Sequence, residues 1–304
     1  MAISNFTGSA QLDAGIITEL RGKFVETAYA RAIMDDFCRT FGGHDFVSGS
    51  LTKTYDRLGK ITAGNLTEGT DASATTLSDT EVSLTVSERG IGVLYGDQLD
   101  VGSAPGNRAR VAGIMGKGYA DWVEQKLLDL ATSFTAQKGT SGATADEDLL
   151  LAAINAAEVA ELDGPLFAVV FPTFIHNLRG VLGNSSTTNP VFMRADVLSR
   201  IGPAMTNSYV GTLFEVDMFK STNCPLDTSA VDRVSVLLPM HAEQFPLRRL
   251  IGVPHEGPFA GTPWDGRVTF ERDESGRLTE MWATGDWDVD AVALDWGVGM
   301  TSIK

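Results

Sequence analysis

The chain has 304 residues, 43% of them hydrophobic and 21% charged, and a formal net charge of −15. That balance describes a globular chain and excludes a surface built to grip phosphate backbones or anionic lipid. The two cysteines, Cys38 and Cys224, are too few for a disulfide framework or a four-thiolate zinc site, and both are expected as reduced thiols.

The first residues, MAISNFTGSA, lack the basic and apolar regions of a secretory signal, so none is expected. No run of about 18 apolar residues predicts a membrane span. Residues 1–47 read as an arm with one helix. Leu20, Phe24, Ala28, Ile33 and Phe37 recur at helical spacing, and Gly42-Gly43 ends the pattern. Residues 48–93 change texture to Thr, Ser and Gly. Val82, Leu84 and Val86 alternate with Ser83, Thr85 and Ser87, which predicts a half-buried strand. Ile91, Val93 and Tyr95 continue the alternation past Arg89-Gly90, and Leu51–Lys60 is the weaker facing strand. Thr62–Asp79 between them is polar and turn-rich. Such a tip on a two-stranded ribbon cannot bury a core of its own. It is either disordered or ordered by packing on something else, and a neighbouring subunit is the natural candidate.

Pro105-Gly106-Asn107 opens the strongest helix pattern, with Val111, Met115, Tyr119, Trp122, Leu127, Leu130 and Phe134 near a 3.6-residue period. Lys138 fits its last turn and Gly139 its stop, which predicts about 31 residues and a rod of roughly 45 Å. Gly113, Gly116 and Gly118 sit in its first half. Each costs roughly 1 kcal/mol against Ala in a helix interior, so the helix bends there or another backbone comes close.

Residues 140–263 read as a mixed α/β unit. Thr144-Ala-Asp-Glu147 resembles a capping box before a helix over Leu149–Ala160. Leu166–Phe171 is an apolar run of central-strand type, and Pro172 suits the first position of a helix over Thr173–Val181. A short helix is expected over Met193–Ile201, and strands over Thr212–Val216 and Arg233–Leu238. Residues 264–304 are β-rich, with a hairpin of Arg267–Arg272 and Arg277–Thr284. Asp286 to Ala291 alternates strictly and Val292–Trp296 continues it. The acid excess is concentrated late, at net −6 for residues 140–263 and −5 for 264–304, against a neutral 94–139.

No catalytic, cofactor-binding or metal constellation is legible. A G-x-S-x-G elbow and a P-loop are absent. Gly90-x-Gly92-x-x-x-Gly96 has the wrong spacing for a dinucleotide loop and lies in strand pattern. His44, His176, His241 and His255 are scattered, without a second histidine at helical spacing. Asp286, Asp288 and Asp290 share one face of a strand. They form a cation site or, more simply, a solvated face opposite buried Trp287 and Val289. An enzyme is therefore not expected.

The order of textures resembles the tailed-bacteriophage major capsid protein family, whose Hong Kong-ninety-seven-type coat fold encapsulin shells share. The best local match is Leu66-Thr-Glu-Gly-Thr-Asp71, then Leu77-Ser-Asp, Val82–Tyr95 and Tyr95-Gly-Asp-Gln-Leu99. The helix with Trp122, Leu127 and Leu130 looks like that family's spine helix. The resemblance implies an α+β fold in five segments: an N-terminal arm (1–47), an extended β-loop (48–93), a peripheral domain with the spine helix (94–139), an axial domain (140–263) and returning peripheral strands (264–304). It implies a coat protein that assembles with itself through pentamers and hexamers into an icosahedral virion shell, with no cofactor and no membrane partner. A scaffolding protein and a portal are implied partners and a decoration protein an optional one. Packaged double-stranded DNA would be contacted weakly and non-specifically. One branch of the family cross-links an extended-loop Lys to a peripheral-domain Asn. Lys53 or Lys60 could supply the first, but no Asn follows Asn223, so no cross-link is expected. Arg57, Glu68 and Asp71 are the expected intersubunit contacts, and Gly113, Gly116 and Gly118 the expected bending points. Two other readings are kept: an encapsulin-type nanocompartment shell, and an α/β enzyme centred on residues 140–263.

Overall fold

The computed structural model describes residues 23–24, 26–27, 33–41, 51–58, 79–96, 107–162, 164–184, 208–240, 246–251, 267–273 and 278–303. The expected helix over Met193–Ile201 and the ribbon tip lie outside them.

Three sheets organise the chain. A five-stranded sheet runs β1 (Arg39–Phe41), β10 (Leu247–Ile251), β12 (Leu278–Ala291) and β11 (Arg267–Asp273), with β4 (Ser87–Gly96) also paired to β12. A six-stranded sheet has the order β5 (Ala136–Lys138), β13 (Val298–Ser302), β9 (Arg233–Pro239), β6 (Leu166–Val170), β8 (Val216–Lys220) and β7 (Tyr209–Leu213). β2 (Thr52–Leu58) and β3 (Asp79–Thr85) form a separate antiparallel ribbon. The expected alternation is present: Leu84 and Val86 are buried while Ser83, Thr85 and Ser87 are exposed. β3 leads into β4 across Val86 alone, so one extended run links ribbon and body.

Helix α1 (Asn107–Asp129) packs on the inner face of the five-stranded sheet. Met115, Tyr119, Ala120, Val123, Leu127 and Leu128 are buried along it. The same core takes in Phe24, Ile33, Met34 and Phe37 from the N-terminal segment and Phe167, Phe219 and Val236 from the six-stranded sheet. Phe37 stacks on Phe167 with centroids 3.4 Å apart. Helices α2 (Glu147–Val159) and α3 (Pro172–Asn184) cover the other face of the six-stranded sheet through Leu150, Ala153, Phe174 and Leu178. β6 is central and almost wholly buried, as its apolar run predicts.

Several expectations are corrected. The long helix ends at Asp129, passes through a 3-10 turn (Leu130–Ser133) and becomes strand β5 at Ala136. Phe134 turns extended (φ −61°, ψ 141°), and the Gln137 amide donates to the carbonyls of Ala131 and Phe134 at 2.9 and 3.0 Å. The last carbonyls are thus satisfied without another helical turn. Gly139 follows a strand instead of closing the helix, and at φ +91° it lies against the Thr301 carbonyl, where a Cβ would not fit. The N-cap of α2 is Asp146, which accepts from the Leu149 N–H at 2.9 Å, and not Thr144. Thr212–Val216 is not one strand. It spans a two-residue turn at Phe214 and Glu215, both at positive φ (50° and 64°), between β7 and β8. β12 continues unbroken to Ala291, after which the chain turns, so Val292–Trp296 is not strand and β13 follows.

The pairing also sets which segments share a sheet. β10, within residues 140–263, joins β12 in the five-stranded sheet. β5 and β13, from the flanking segments, join β9 in the six-stranded one.

One buried hydrogen bond ties the helix to its sheet: the Trp287 indole N–H donates to the Tyr119 hydroxyl at 2.6 Å. Tyr119→Phe strands that donor in a site only 1% exposed. A loss of about 1–3 kcal/mol is expected, read as a lower urea midpoint at unchanged m-value.

Candidate functional site

The ribbon carries the first candidate. Arg57 lies near the outer end of β2. Its Nη1 and Nη2 donate to Oδ1 and Oδ2 of Asp295 at 2.5 and 2.6 Å, and its guanidinium sits 4.8 Å from the Trp296 ring centroid. This bond holds the Asp295 carboxyl below the usual carboxylate range. In the single chain Arg57, expected as an intersubunit contact, thus pairs with a residue of its own chain. Glu68 and Asp71 lie outside the described residues.

The three glycines of α1 differ. At Gly116 an added Cβ would stand 2.5 Å from the Phe24 carbonyl oxygen, so the N-terminal segment crosses the helix backbone to backbone. At Gly113 the nearest atom is Thr27 Oγ1 at 3.7 Å, and at Gly118 it is Ile91 Cδ1 at 3.3 Å. Close approach, the second of the two sequence readings, accounts for Gly116. The three lie in one continuous helix.

Glu124 was not singled out by sequence reading. It is 2% exposed, where α1, residue 33 and the segment after β8 meet. One carboxylate oxygen accepts from the Ile33 N–H at 3.3 Å and the other from the Ser221 hydroxyl. Burial is the main cause that raises its pKa from 4.5 to about 7, with Asp121 adding to the rise. A cavity of about 670 Å³ opens beside it, lined also by Lys23, Glu26, Asp121, Lys220 and Asn223. Lys23 pairs with Glu26 at 3.1 Å, and Asn223 Nδ2 donates to Asp121 at 3.4 Å. Buried Cys224 nearby has its thiol pKa raised by burial, which makes it a poor nucleophile. The arrangement ties three segments together, and the Ser221 hydroxyl that faces the raised carboxyl is itself buried, 5% exposed. The readable signal was position: Glu124 falls on the same helix face as buried Ala120 and Leu127.

On β12 the even-numbered side chains face outward. Asp288 pairs with Arg89 at 2.8 Å, while Trp287 is buried and Val289 packs on the core. Among the described residues no group of three or more His, Cys, Asp or Glu could hold a metal ion. Trp282, on the same outer face, is 42% exposed and lies over Gly92, where a Cβ would meet its ring at 2.6 Å. His176 is exposed on α3, and the other three histidines lie outside the described residues.

Two predictions follow from these sites. Gly116→Ala should destabilise the chain by about 1–3 kcal/mol through overpacking, whereas Gly113→Ala should be neutral or gain up to about 1 kcal/mol. Chemical denaturation of both variants separates a packing glycine from a flexing one. For Glu124, between pH 4.5 and 7 the folded chain holds a proton that the unfolded chain releases, so its contribution lowers stability as pH rises. Glu124→Gln keeps an acceptor for Ile33 and a donor for Ser221. It should remove this slope and leave the variant more stable than the parent at pH 8, by roughly 3 kcal/mol at most. Denaturation midpoints at pH 5 and pH 8 check it.

No family model and no curated protein matches the sequence. Solved structures do match the fold. The capsid of Ralstonia phage GP4 aligns at a TM-score of 0.66 and 9% identity, over 90% of this chain and 91% of that one. A chain of Mycobacterium phage Che8 aligns at 0.57 and 17% identity, over 83% and 85%. The holo-SrpI encapsulin complex from Synechococcus elongatus PCC 7942 aligns at 0.58 and 12% identity, over 88% and 85%. The chain therefore has the α+β Hong Kong-ninety-seven-type coat fold found in phage capsids and encapsulins.

Proposed function

We propose that the chain is a major capsid protein of a tailed double-stranded DNA phage. The observation that carries this reading is the fold itself, matched over about nine-tenths of both chains by the GP4 capsid. The ribbon supports it. Among its described residues the ribbon buries a small cluster, Leu84 and Val86 backed by Tyr55 and Val82, apart from both main cores. A ribbon with so little core of its own gains stability by lying over another copy.

In this reading the five-stranded sheet with α1 forms the peripheral domain, and the six-stranded sheet with α2 and α3 the axial domain. Axial domains meet in pentamers and hexamers, through heterologous contacts that close into rings. Arg57, Glu68 and Asp71 are the proposed contacts to a neighbouring copy. Scaffolding protein, portal and an optional decoration protein complete a virion head, and DNA is held inside without tight contacts. The shared fold of the encapsulin keeps the nanocompartment as the second reading.

Negative-stain images of the purified recombinant chain test this. Hollow isometric particles with five- and six-fold rings are expected. A chain that stays monomeric at every concentration and ionic strength overturns the reading. Particles that carry a specific enzyme from the host, with no competence to package DNA, favour the compartment.

A further inference from the structure

Arg57 ties the ribbon to its own subunit through a polar contact that is open to solvent. At its base the ladder is interrupted at Val86, whose N–H donates to the Leu51 carbonyl at 2.9 Å. Towards its outer end Arg57 reaches Asp295, 238 residues away, and covers Trp296. The bidentate fork and the cation–aromatic contact select one orientation of the ribbon. The side chains are 29% and 51% exposed, so salt or a competing carboxylate can reach the pair. Both terminal nitrogens of Arg57 are engaged. A carboxylate of a second copy that takes over the Nη1–Nη2 fork displaces Asp295.

We propose that Arg57, Asp295 and Trp296 form an autoinhibitory latch, which holds the ribbon on its own subunit until a second copy displaces it. The inference rests on the shell reading above. The unassembled chain is latched, and growth of a shell exchanges an internal ion pair for an intersubunit one. The exchange nearly conserves ion pairs, so its direction is set by the rest of the ribbon contact. The latch thereby delays assembly without weakening the finished shell. Ionisation of Asp295 keeps it closed at neutral pH, and its depressed pKa carries that into mildly acidic solution.

The test uses the full chain. In R57C/D295C the two introduced thiols are bridged with a short bis-maleimide; Cys38 and Cys224 are buried. The bridged chain should stay unassembled where the parent forms shells, and the unbridged variant should assemble at least as readily as the parent. D295N should speed amide hydrogen exchange in residues 52–58 and 79–85 of the unassembled chain several-fold, and lower the concentration at which shells appear. Shells formed normally by the bridged chain, or unchanged exchange in D295N, overturn the latch and leave the shell reading standing. A parent chain that never forms shells overturns the shell reading, and the latch's role in assembly with it.

Discussion

The burial of Trp287 is the contact on which the body of the chain depends. The indole is 1% exposed and is the largest fully buried side chain among the described residues. Its N–H is taken by Tyr119 of α1, and Tyr119 and Trp122 meet its ring edge-on at 6.4 and 5.2 Å. The guanidinium groups of Arg89 from β4 and Arg249 from β10 lie 4.8 and 5.6 Å from its centre. One side chain therefore fixes where the helix crosses the sheet and brings two strands from distant parts of the sequence, β4 and β10, together on either side of β12. Once α1 is placed, its second half meets the six-stranded sheet, and Phe37 closes the remaining space by stacking on Phe167.

The ribbon stands outside that economy. Its ladder is satisfied by its own two strands, and hydroxyl pairs such as Thr52–Thr85 at 2.8 Å lie on its exposed side. Backbone pairing alone leaves a two-stranded ribbon marginal in water. The structure thus divides into a body whose order is intrinsic and a projection whose order depends on what it touches. That division is what a subunit needs if it must fold alone and then grow into an assembly.

The sequence showed most clearly those elements whose burial is one-sided and local. The alternation through Val82, Leu84 and Val86 gave the ribbon strand, and the apolar run from Leu166 gave β6, because each depends on side-chain period alone. The elements it hid depend on distant partners. β10 contains Arg248 and Arg249, which read as surface residues until Trp287 and the acidic face of β12 are placed beside them. The end of α1 was overrun because the residue that stops it, Gln137, acts through its side chain, and has room only because Gly299 of β13 carries none. The turn at Phe214 and Glu215 has no glycine or asparagine, so nothing local announced positive φ at both positions. Among the candidate site residues, Gly116 was recognisable as an anomaly, and the backbone it meets is that of Phe24, more than 90 positions away. Arg57, expected as an intersubunit contact, pairs in the single chain with Asp295, 238 positions away, a partner that no local pattern announces.

The charge gains meaning once the cations are located. Arg249 and Arg248 are 1% and 7% exposed, and Arg89 is drawn down against Trp287 and Asp288. Among the described residues two buried acids, Glu124 and Asp232, offset these two buried arginines, so the surface keeps the acidic excess of a net charge of −15 on 304 residues. Copies of such a chain repel one another at low ionic strength. Contact between them must then be driven by local features that outweigh the long-range field. The outer face of β4 and β12 offers one, with Trp282 and Leu94 exposed at 42% and 61% beside the small residues Gly90 and Gly92. An acidic field with isolated aromatic and aliphatic anchors disfavours indiscriminate clumping. It permits only those contacts in which the anchors are covered and the acids are paired, and it gives added salt a direct influence on when those contacts form.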